Sequence, residues 1–359
     1  MNLLRKISLI LSITVLFFLS LDFIITFTNG YRGASKFYIT SKYAGFIHKP
    51  NFSGKFGGFL DESSSNVNIG HMGERLSVIN NCNYSKNIIF LGDSGTAGFE
   101  VNDNETFVSQ INLNQCKYKG INFGVRGHNT HNILGNYKRI KEKINHDIVI
   151  YIIFPNDLIE NIRFDLSKNL YKKFGNIFDE IYYPPKLSNP EKIYHSFRTF
   201  IADNFYVTTK LIFCLQTKGK ICFFGGNNNT DSNKEIIKIP QKEINKMNNL
   251  IHELSKETNN MGKKLYVAGL PCLPNKPNEE CKIIELENYL KKISNETNLF
   301  KVIPLSNHVY EEHKIGTLDI IKMGFRTDLH LSKFGHSVVS KFLIRFLEEI
   351  YQEGQVKDD

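Results

Sequence analysis

The sequence predicts a three-layer α/β/α fold with a mostly parallel sheet, preceded by a transmembrane helix. Two observations lead to this prediction. Short apolar runs alternate with stretches of helical periodicity from residue 87 onward, and a long apolar segment stands near residue 1. Continuous β-rich runs are typical of strands buried on both faces, and their alternation with helices implies right-handed crossovers between parallel strands.

The apolar segment near residue 1 predicts a signal-anchor. Arg5 and Lys6 precede the uncharged run Ile7–Leu21, and Phe23–Phe27 continues it after Asp22. The stretch is long enough for a bilayer, which takes about 20 residues, and no small-x-small cleavage site follows it. The positive flank favours a cytoplasmic start, so the rest is expected on the extracytoplasmic side, or secreted if the segment is cleaved. A buried core helix is the alternative.

The pattern along the chain divides it into four parts. These are an anchor over 1–30, a polar Gly/Ser/Asn-rich segment over 31–85, an α/β domain over 86–351, and a polar tail over 352–359. The second part is expected to be a stalk with irregular segments on the domain edge. Within the domain, 162–238 is long, aromatic and irregular, so we expect an insertion, partly helical around Tyr194–Cys214. It is either a lid over the active-site edge or a peripheral structural insert.

The elements of the α/β domain follow from the apolar spacing. The predicted strands are Asn87–Leu91, Gly120–Phe123, Asp147–Phe154, Lys263–Ala268 and Phe300–Pro304. The predicted helices are Phe107–Leu113, Asn132–Lys143, Gln241–Asn259, Ile283–Asn295 and Lys333–Tyr351. Such strand–helix alternation is typical of a doubly wound sheet.

The cysteines and the charge balance limit the compartment and the partners. The number of cysteines, six, favours disulfides and an oxidising compartment. Their spacing is compatible with three local bridges among the fifteen possible connectivities: Cys82 with Cys116, Cys214 with Cys222, and Cys272 with Cys281. Free buried cysteines are the alternative. The net charge of +9 is spread along the chain, without zinc-finger spacing or an aromatic-plus-basic RNA signature. The sequence therefore predicts no nucleic-acid partner. Its excess of basic residues is also compatible with a position near an anionic membrane surface.

Three strand ends carry residues useful for acyl transfer. The first strand ends at Gly92-Asp93-Ser94, which places a serine and its backbone N–H at the start of a helix. The next two run into Gly127 and Asn156, which can supply a backbone and a side-chain donor to a developing oxyanion. His330, close to Asp328 near the other end of the chain, is the candidate base.

These residues resemble the four short blocks of the SGNH (GDSL) hydrolase family, over about Asn87 to His336. The resemblance implies a flavodoxin-like SGNH fold with Ser94 as nucleophile, Ser94, Gly127 and Asn156 in the oxyanion hole, and His330 as base. The stretch from Gly92 to Phe107 and the preceding run Asn68–Arg75 are similar to a membrane-anchored branch of the family.

Two blocks depart from the family's pattern. The acid usually stands three residues before the histidine, where this chain has Thr327, and Asp328 is one residue closer. Asp328 orients the imidazole if the loop is tighter; otherwise a Ser-His dyad or a carboxylate from elsewhere takes that role. Pro155 precedes Asn156 and removes a backbone N–H there. His336 is the alternative base.

The function predicted from these residues is ester hydrolysis outside the cytoplasm through an acyl-serine, which requires no metal or cofactor. The substrate would be an acyl ester of a lipid, a sugar or an O-acetylated glycan. An O-acetyltransferase or acetylesterase acting on a cell-surface glycan is the first alternative, and a catalytically inactive binding protein is the second. A trypsin-like protease is excluded because Ser94 comes early and the surrounding pattern is α/β rather than all-β.

Overall fold

The structure is a computed structural model that describes residues 3–31, 33–57, 61–154, 157, 161, 164–165, 170–171, 189–216, 241–271, 283–325 and 330–355. The strands are β1 (Tyr38–Ser41), β2 (Gly45–His48), β3 (Ser53–Phe56), β4 (Ser65–Asn68), β5 (Lys86–Leu91), β6 (Tyr118–Asn122), β7 (Ile148–Ile153), β8 (Phe164–Asp165), β9 (Leu170–Tyr171), β10 (Lys264–Gly269) and β11 (Lys301–Ile303). The helices are α1 (Leu3–Thr28), α2 (Ser94–Ala97), α3 (Phe107–Asn114), α4 (Thr130–Ile140), α5 (Asn189–Asn204), α6 (Tyr206–Gln216), α7 (Gln241–Asn260), α8 (Ile283–Thr297), α9 (Leu305–Lys314) and α10 (Lys333–Gln355).

The centre of the molecule is a five-stranded parallel sheet in the order β11-β10-β7-β5-β6. The chain passes from β5 to β6 on one side and then crosses to β7 on the other. This order is that of flavodoxin-like folds, in which the ligand crevice opens at the carboxyl ends of the strands next to the switch point. The predicted α/β class and all five predicted strands are confirmed, and Ser94 follows the strand at the switch point.

The main core lies between this sheet and its helices. Every residue of β7 is buried, as the continuous apolar run predicts for a strand covered on both faces. β6 instead alternates buried and half-buried positions because it is the edge strand. The helices predicted from apolar spacing are present as α3, α4, α7, α8 and α10, with ends that differ by a few residues.

Residues 31–85 differ from the predicted stalk with irregular segments. They contain two antiparallel hairpins, β1–β2 and β3–β4, which the sequence pattern did not indicate because each strand has only four residues. Aromatic side chains of this segment form a second, smaller core, in which Phe37 and Phe56 pack on Phe99 and Phe52 packs on Phe37. The segment is thus held by aromatic packing rather than extended from the domain.

One of the three cysteine pairs is joined within the described residues. Cys82 and Cys116 form a disulfide that links the approach to β5 with the approach to β6. Cys222, Cys272 and Cys281 lie outside the described residues, so the other two predicted pairs stay predictions.

The N-terminal helix α1 is long and apolar enough to cross a membrane. The span Arg5–Thr28 has 24 residues, and only 11% of its most apolar window is buried in the protein. The described part of the predicted insertion contains the short strands β8 and β9 and the helices α5 and α6. Both helices pack against α1.

Candidate active site

Ser94 stands at the carboxyl edge of the sheet, on the turn between β5 and α2. Asp93 is the N-cap of this short helix, and its Oδ1 accepts a hydrogen bond from the Gly95 N–H at 2.9 Å. Asp93 is 1% exposed, whereas Ser94 is half-buried, so the turn holds the serine at the surface of a fixed support. The predicted placement of Ser94 at a helix start is what the structure has.

His330 faces Ser94 across 236 positions of sequence. Its Nε2 lies 2.7 Å from Ser94 Oγ, a hydrogen-bond distance. The backbone of His330 is held by its neighbours, since Leu331 bridges Gly324 and the Ser332 N–H donates to Met323 O at 2.7 Å. The tertiary fold therefore brings the two side chains into the contact that the sequence pattern predicts for a nucleophile and its base.

The other ring nitrogen of His330 faces Glu100, a residue that the sequence analysis did not select. Glu100 Oε1 lies 3.5 Å from His330 Nδ1, and the Glu100 side chain is 1% exposed. The guanidinium of Arg126 forms an ion pair with the same carboxylate. Asp328, the acid expected from the sequence, lies outside the described residues, as does Thr327. Glu100, a carboxylate from elsewhere in the chain, thus lies on the Nδ1 side of the His330 ring.

Glu100 lies in the loop between α2 and α3, and the buried Arg75 binds this loop. Arg75 is 1% exposed, and its guanidinium donates to the carbonyl oxygens of Ala97, Gly98 and Val101. It also bonds Asp103, with Nε and Oδ1 3.1 Å apart. These bonds span the residues on both sides of Glu100 and so fix the direction of its side chain.

The same loop is joined to β4. The backbone N–H and the side-chain amide of Asn68 both donate to the Asp103 carboxylate. Asn102 and Glu105 form a capping box, and Thr106 then caps α3 by accepting from the Ser109 N–H. The two stretches that resemble the membrane-anchored branch therefore meet here, and their contacts position the loop that carries Glu100.

The loop after β6 lies directly against α2, the helix that begins at Ser94. The Asn122 side chain donates to Thr96 O at 2.8 Å and accepts from the Gly124 N–H at 2.9 Å. A Cβ on Gly124 would lie 2.5 Å from the Ala97 nitrogen, so only glycine allows this approach. The loop thereby reaches the edge of the sheet beside Ser94.

Gly127 occupies the tip of this loop. Its φ of 82° is in the left-handed region that favours glycine. The next residue, His128, is buried, and its Nε2 lies 2.8 Å from Phe46 O in β2. Gly127 is thus exposed at the end of a loop whose next residue is anchored to β2.

Asn156 and Pro155 lie outside the described residues. The following residue, Asp157, is fully buried. Asp157 Oδ2 accepts from the Phe154 N–H at 3.1 Å and from the Tyr151 hydroxyl at 3.2 Å. Asp157 therefore closes the turn at the end of β7.

His336, the alternative base, lies buried in the core next to α3. It is 1% exposed, and its Nδ1 accepts from the Phe107 N–H at 3.2 Å. Burial lowers the pKa of His336 to about 3, with nearby Arg75 acting in the same direction. Of the two histidines, only His330 has its ring within hydrogen-bond distance of Ser94 in the described structure.

No group of three or more His, Cys, Asp or Glu side chains in the described residues is placed to hold a metal ion. A cleft of about 740 Å³ opens beside Glu100. It is lined by polar side chains including Glu62, Glu105 and Lys333, together with Phe325 and Phe334. Glu100 belongs to this lining, so the cleft borders the carboxylate that faces His330.

No protein-family model and no curated protein matches the chain. Solved structures do match it. A lipolytic protein of the G-D-S-L family from Veillonella parvula is 13% identical, with 72% of this chain and 96% of that chain covered and a TM-score of 0.41. One from Desulfitobacterium hafniense is 11% identical, with 72% and 98% covered and a TM-score of 0.40.

A mutant of Axe2, an acetylxylan esterase from Geobacillus stearothermophilus, is 12% identical, with 75% of this chain and 95% of that chain covered and a TM-score of 0.39. The chain is similar to GDSL proteins. At these identities and TM-scores the matches carry no conclusion about this chain, so its activity has to be inferred from its own side chains.

Proposed function

We propose that this protein is a carboxylic ester hydrolase of the SGNH type that acts through an acyl-serine. The observation that carries the proposal is the 2.7 Å contact between Ser94 Oγ and His330 Nε2 at the carboxyl edge of the parallel sheet. A serine at a helix start with a histidine on its hydroxyl is the arrangement of an activated nucleophile.

In the proposed reaction His330 Nε2 takes the Ser94 proton while Oγ attacks the ester carbonyl carbon. The C–O bond to the alcohol then breaks, and the imidazolium gives its proton to that alcohol. His330 next deprotonates water, which attacks the acyl-serine and releases the acid and free Ser94. The N–H groups of Ser94 and Gly127 and the side chain of Asn156 are the proposed donors to the oxyanion.

Glu100 is the proposed positioning residue for the base. Its carboxylate faces Nδ1 of His330, so it favours the tautomer with the proton on Nδ1 and leaves Nε2 free to accept from Ser94. It also stabilises the imidazolium that forms when Ser94 is deprotonated. Arg126 pairs with the same carboxylate oxygen and links it to the loop that carries Gly127.

The proposed location is the extracytoplasmic face of a membrane. Support comes from α1, which is long and apolar enough to span and carries Arg5 and Lys6 near its start. The disulfide between Cys82 and Cys116 is a second support, because such bonds persist in oxidising compartments.

The decisive experiment compares Ser94→Ala with wild type on p-nitrophenyl acetate and on esters of longer acyl chains. Loss of the nucleophile should lower kcat by roughly 10³-fold or more. Ser53→Ala is the matched control, since Ser53 is exposed on β3 and is expected to leave the rate unchanged. Equal rates for Ser94→Ala and wild type would mean that the protein is not a serine esterase.

The acyl acceptor is tested in the same assay. Hydrolysis releases one acid for each alcohol, whereas transfer to an added sugar hydroxyl lowers the yield of free acid and acylates the sugar. The proposal expects free acid in both cases, and quantitative capture of the acyl group by a glycan would assign the protein as an O-acyltransferase instead.

A further inference from the structure

The end of α1 nearest the domain carries two polar side chains that serve another helix. Asp22 Oδ1 accepts from the Val207 N–H at 2.9 Å, and Asp22 Oδ2 accepts from the Thr208 N–H at 2.7 Å. Thr26 Oγ1 accepts from the Tyr206 N–H at 2.9 Å. The first N–H groups of a helix have no partner within that helix. Side chains of α1 therefore cap α6 from outside its own segment.

Aromatic contacts and a lysine strengthen this junction. The ring of Phe23 packs on Phe205 with centroids 5.9 Å apart, and Tyr31 packs on Tyr206 at 4.8 Å. Lys36 Nζ donates to Asp203 O at 3.2 Å. The helical pair α5–α6 is thus docked on α1 along a stretch that continues into the chain beyond it.

The length of α1 places this junction at the membrane. Crossing the hydrocarbon layer takes about 30 Å, and Arg5 and Lys6 stay at the polar boundary. Ile7–Phe18, the part of the run before the docked end, supplies only about 18 Å at the usual helical rise. The remainder of roughly 12 Å must come from Leu19 onward, which is the part that contacts α6. If α1 spans the bilayer, α6, whose first N–H groups bind Asp22, lies with it at the outer boundary of the bilayer.

A carboxylate at that depth is costly unless it is fully paired. Asp22 is 5% exposed and is satisfied by two backbone N–H groups of α6 and by the hydroxyls of Thr26 and Thr208. Its presence within the apolar run is explained if α6 accompanies α1.

The helices α5 and α6, which both contact α1, expose large apolar side chains. Phe197 is 63% exposed, Phe200 53%, Leu211 48% and Leu215 70%. On α1 itself, residues on every side of the helix, such as Leu16 and Phe17, are exposed to similar fractions. A helix that is apolar all round needs lipid or protein around it, and here the neighbouring pair presents the same kind of surface.

We propose that α5–α6 is a second membrane-contacting element, held against α1 by Asp22 and Thr26, with Phe197, Phe200, Leu211 and Leu215 in the outer boundary of a phospholipid bilayer. It follows that α1 is retained in the mature protein, because its removal would leave the start of α6 uncapped. On the domain side, Lys210 pairs with Asp61 and the Tyr206 hydroxyl donates to it at 3.0 Å. The element thereby holds the domain close to the membrane surface.

The test uses tryptophan as a depth reporter, since the chain contains no tryptophan. Full-length Leu215→Trp and Phe200→Trp proteins are placed in phosphatidylcholine vesicles with and without lipids brominated on their acyl chains. Both reporters should be quenched on the order of twofold, because tryptophan at a membrane boundary lies next to the acyl chains. Ile315→Trp is the matched control: Ile315 is 71% exposed at the end of α9, which packs on α8 and α10, and its emission should not change.

Three further measurements test the proposal against other occupants of this surface. In Asp22→Ala the reporter on Leu215 should lose at least half of its quenching while α1 stays in the vesicle, because α6 loses its cap. Equal emission of Leu215→Trp and Ile315→Trp in brominated vesicles would overturn the proposal. So would a dimeric mass in detergent with an unquenched reporter, which would mean that a second copy covers α5–α6.

The intact mass of the protein purified from membranes tests whether α1 is retained. It must include α1, and a chain cut after α1 would also refute the proposal. None of these readouts depends on ester hydrolysis.

Discussion

At the scale of single residues, Glu100 lies next to the Ser94–His330 pair as a third polar group of the candidate site. It is buried, it faces Nδ1 of His330, and Arg126 binds the same carboxylate oxygen. In the proposed mechanism this carboxylate orients the imidazole and takes no part in binding the ester. Its removal is therefore expected to change the chemical step more than substrate binding.

We expect Glu100→Gln to lower kcat by roughly 10²–10⁴-fold with little change in KM, since the amide cannot stabilise the imidazolium. The acidic limb of the kcat/KM profile should also move to lower pH, because a neighbouring carboxylate favours the protonated form of the imidazole. Steady-state kinetics over a pH series measure both effects.

Two variants serve as references for that prediction. Glu105→Gln removes a carboxylate close by in sequence that caps Asn102 and pairs with Lys333, and kcat should stay near the wild-type value. Asp328→Asn tests the acid expected from the sequence. A large loss of kcat in Asp328→Asn together with a near-normal Glu100→Gln would assign the positioning role to Asp328.

At the scale of elements, the loop between α2 and α3 depends on one buried side chain. Arg75 donates to three carbonyl oxygens of that loop and pairs with Asp103 at 3.1 Å. Arg75→Met would leave these acceptors and the Asp103 carboxylate without their donor. We expect the free energy of unfolding to fall by about 3–5 kcal/mol, as for other buried pairs that lose one partner.

Urea denaturation measures this loss, with Arg345→Met as the control. Arg345 pairs with Glu312 on the surface and has a 62% exposed side chain, so its removal should cost less than about 1 kcal/mol. Equal losses in the two variants would contradict the role given to Arg75. If Arg75→Met folds, kcat should fall as well, because the direction of Glu100 is no longer fixed.

At the scale of the whole molecule, buried histidines make the fold sensitive to acid. Burial lowers the pKa of both His128 and His336 to about 3, from 6.5 in the unfolded chain. Above pH 6.5 both states are neutral and stability is complete. Between pH 6.5 and 3 the unfolded chain binds protons that the folded chain does not, so stability falls by up to about 1.4 kcal/mol per pH unit for each histidine.

The measurement is the urea midpoint at pH 7 and at pH 5. His336→Gln should show a smaller decrease between the two than wild type does, because one buried histidine no longer contributes. His71→Gln is the control, since the His71 side chain is 73% exposed, and its decrease should equal that of wild type. Identical decreases in all three proteins would show that His336 does not control this dependence.

Some of this molecule could be predicted from local patterns. The five strands of the sheet are continuous apolar runs, and their helices have apolar residues at helical spacing, so both were predictable with ends uncertain by a few residues. The hairpins of residues 31–85 were not, because strands of four residues held by phenylalanines have no distinct period. The docking of α5 and α6 on α1 was not predictable either, since Asp22 only interrupts an apolar run until its partners are known.

The sequence by itself determined the fold class, the place of Ser94 after a strand and the choice of His330 as its partner, because each depends on residues adjacent in the chain or on the order of short motifs. Only the tertiary structure decided that Glu100 faces His330 and that His336 belongs to the core. The tertiary structure also decided that Arg75 binds the loop between α2 and α3, which carries Glu100. Those relations join residues tens to hundreds of positions apart, and packing of the sheet, the aromatic cluster and α10 brings them together.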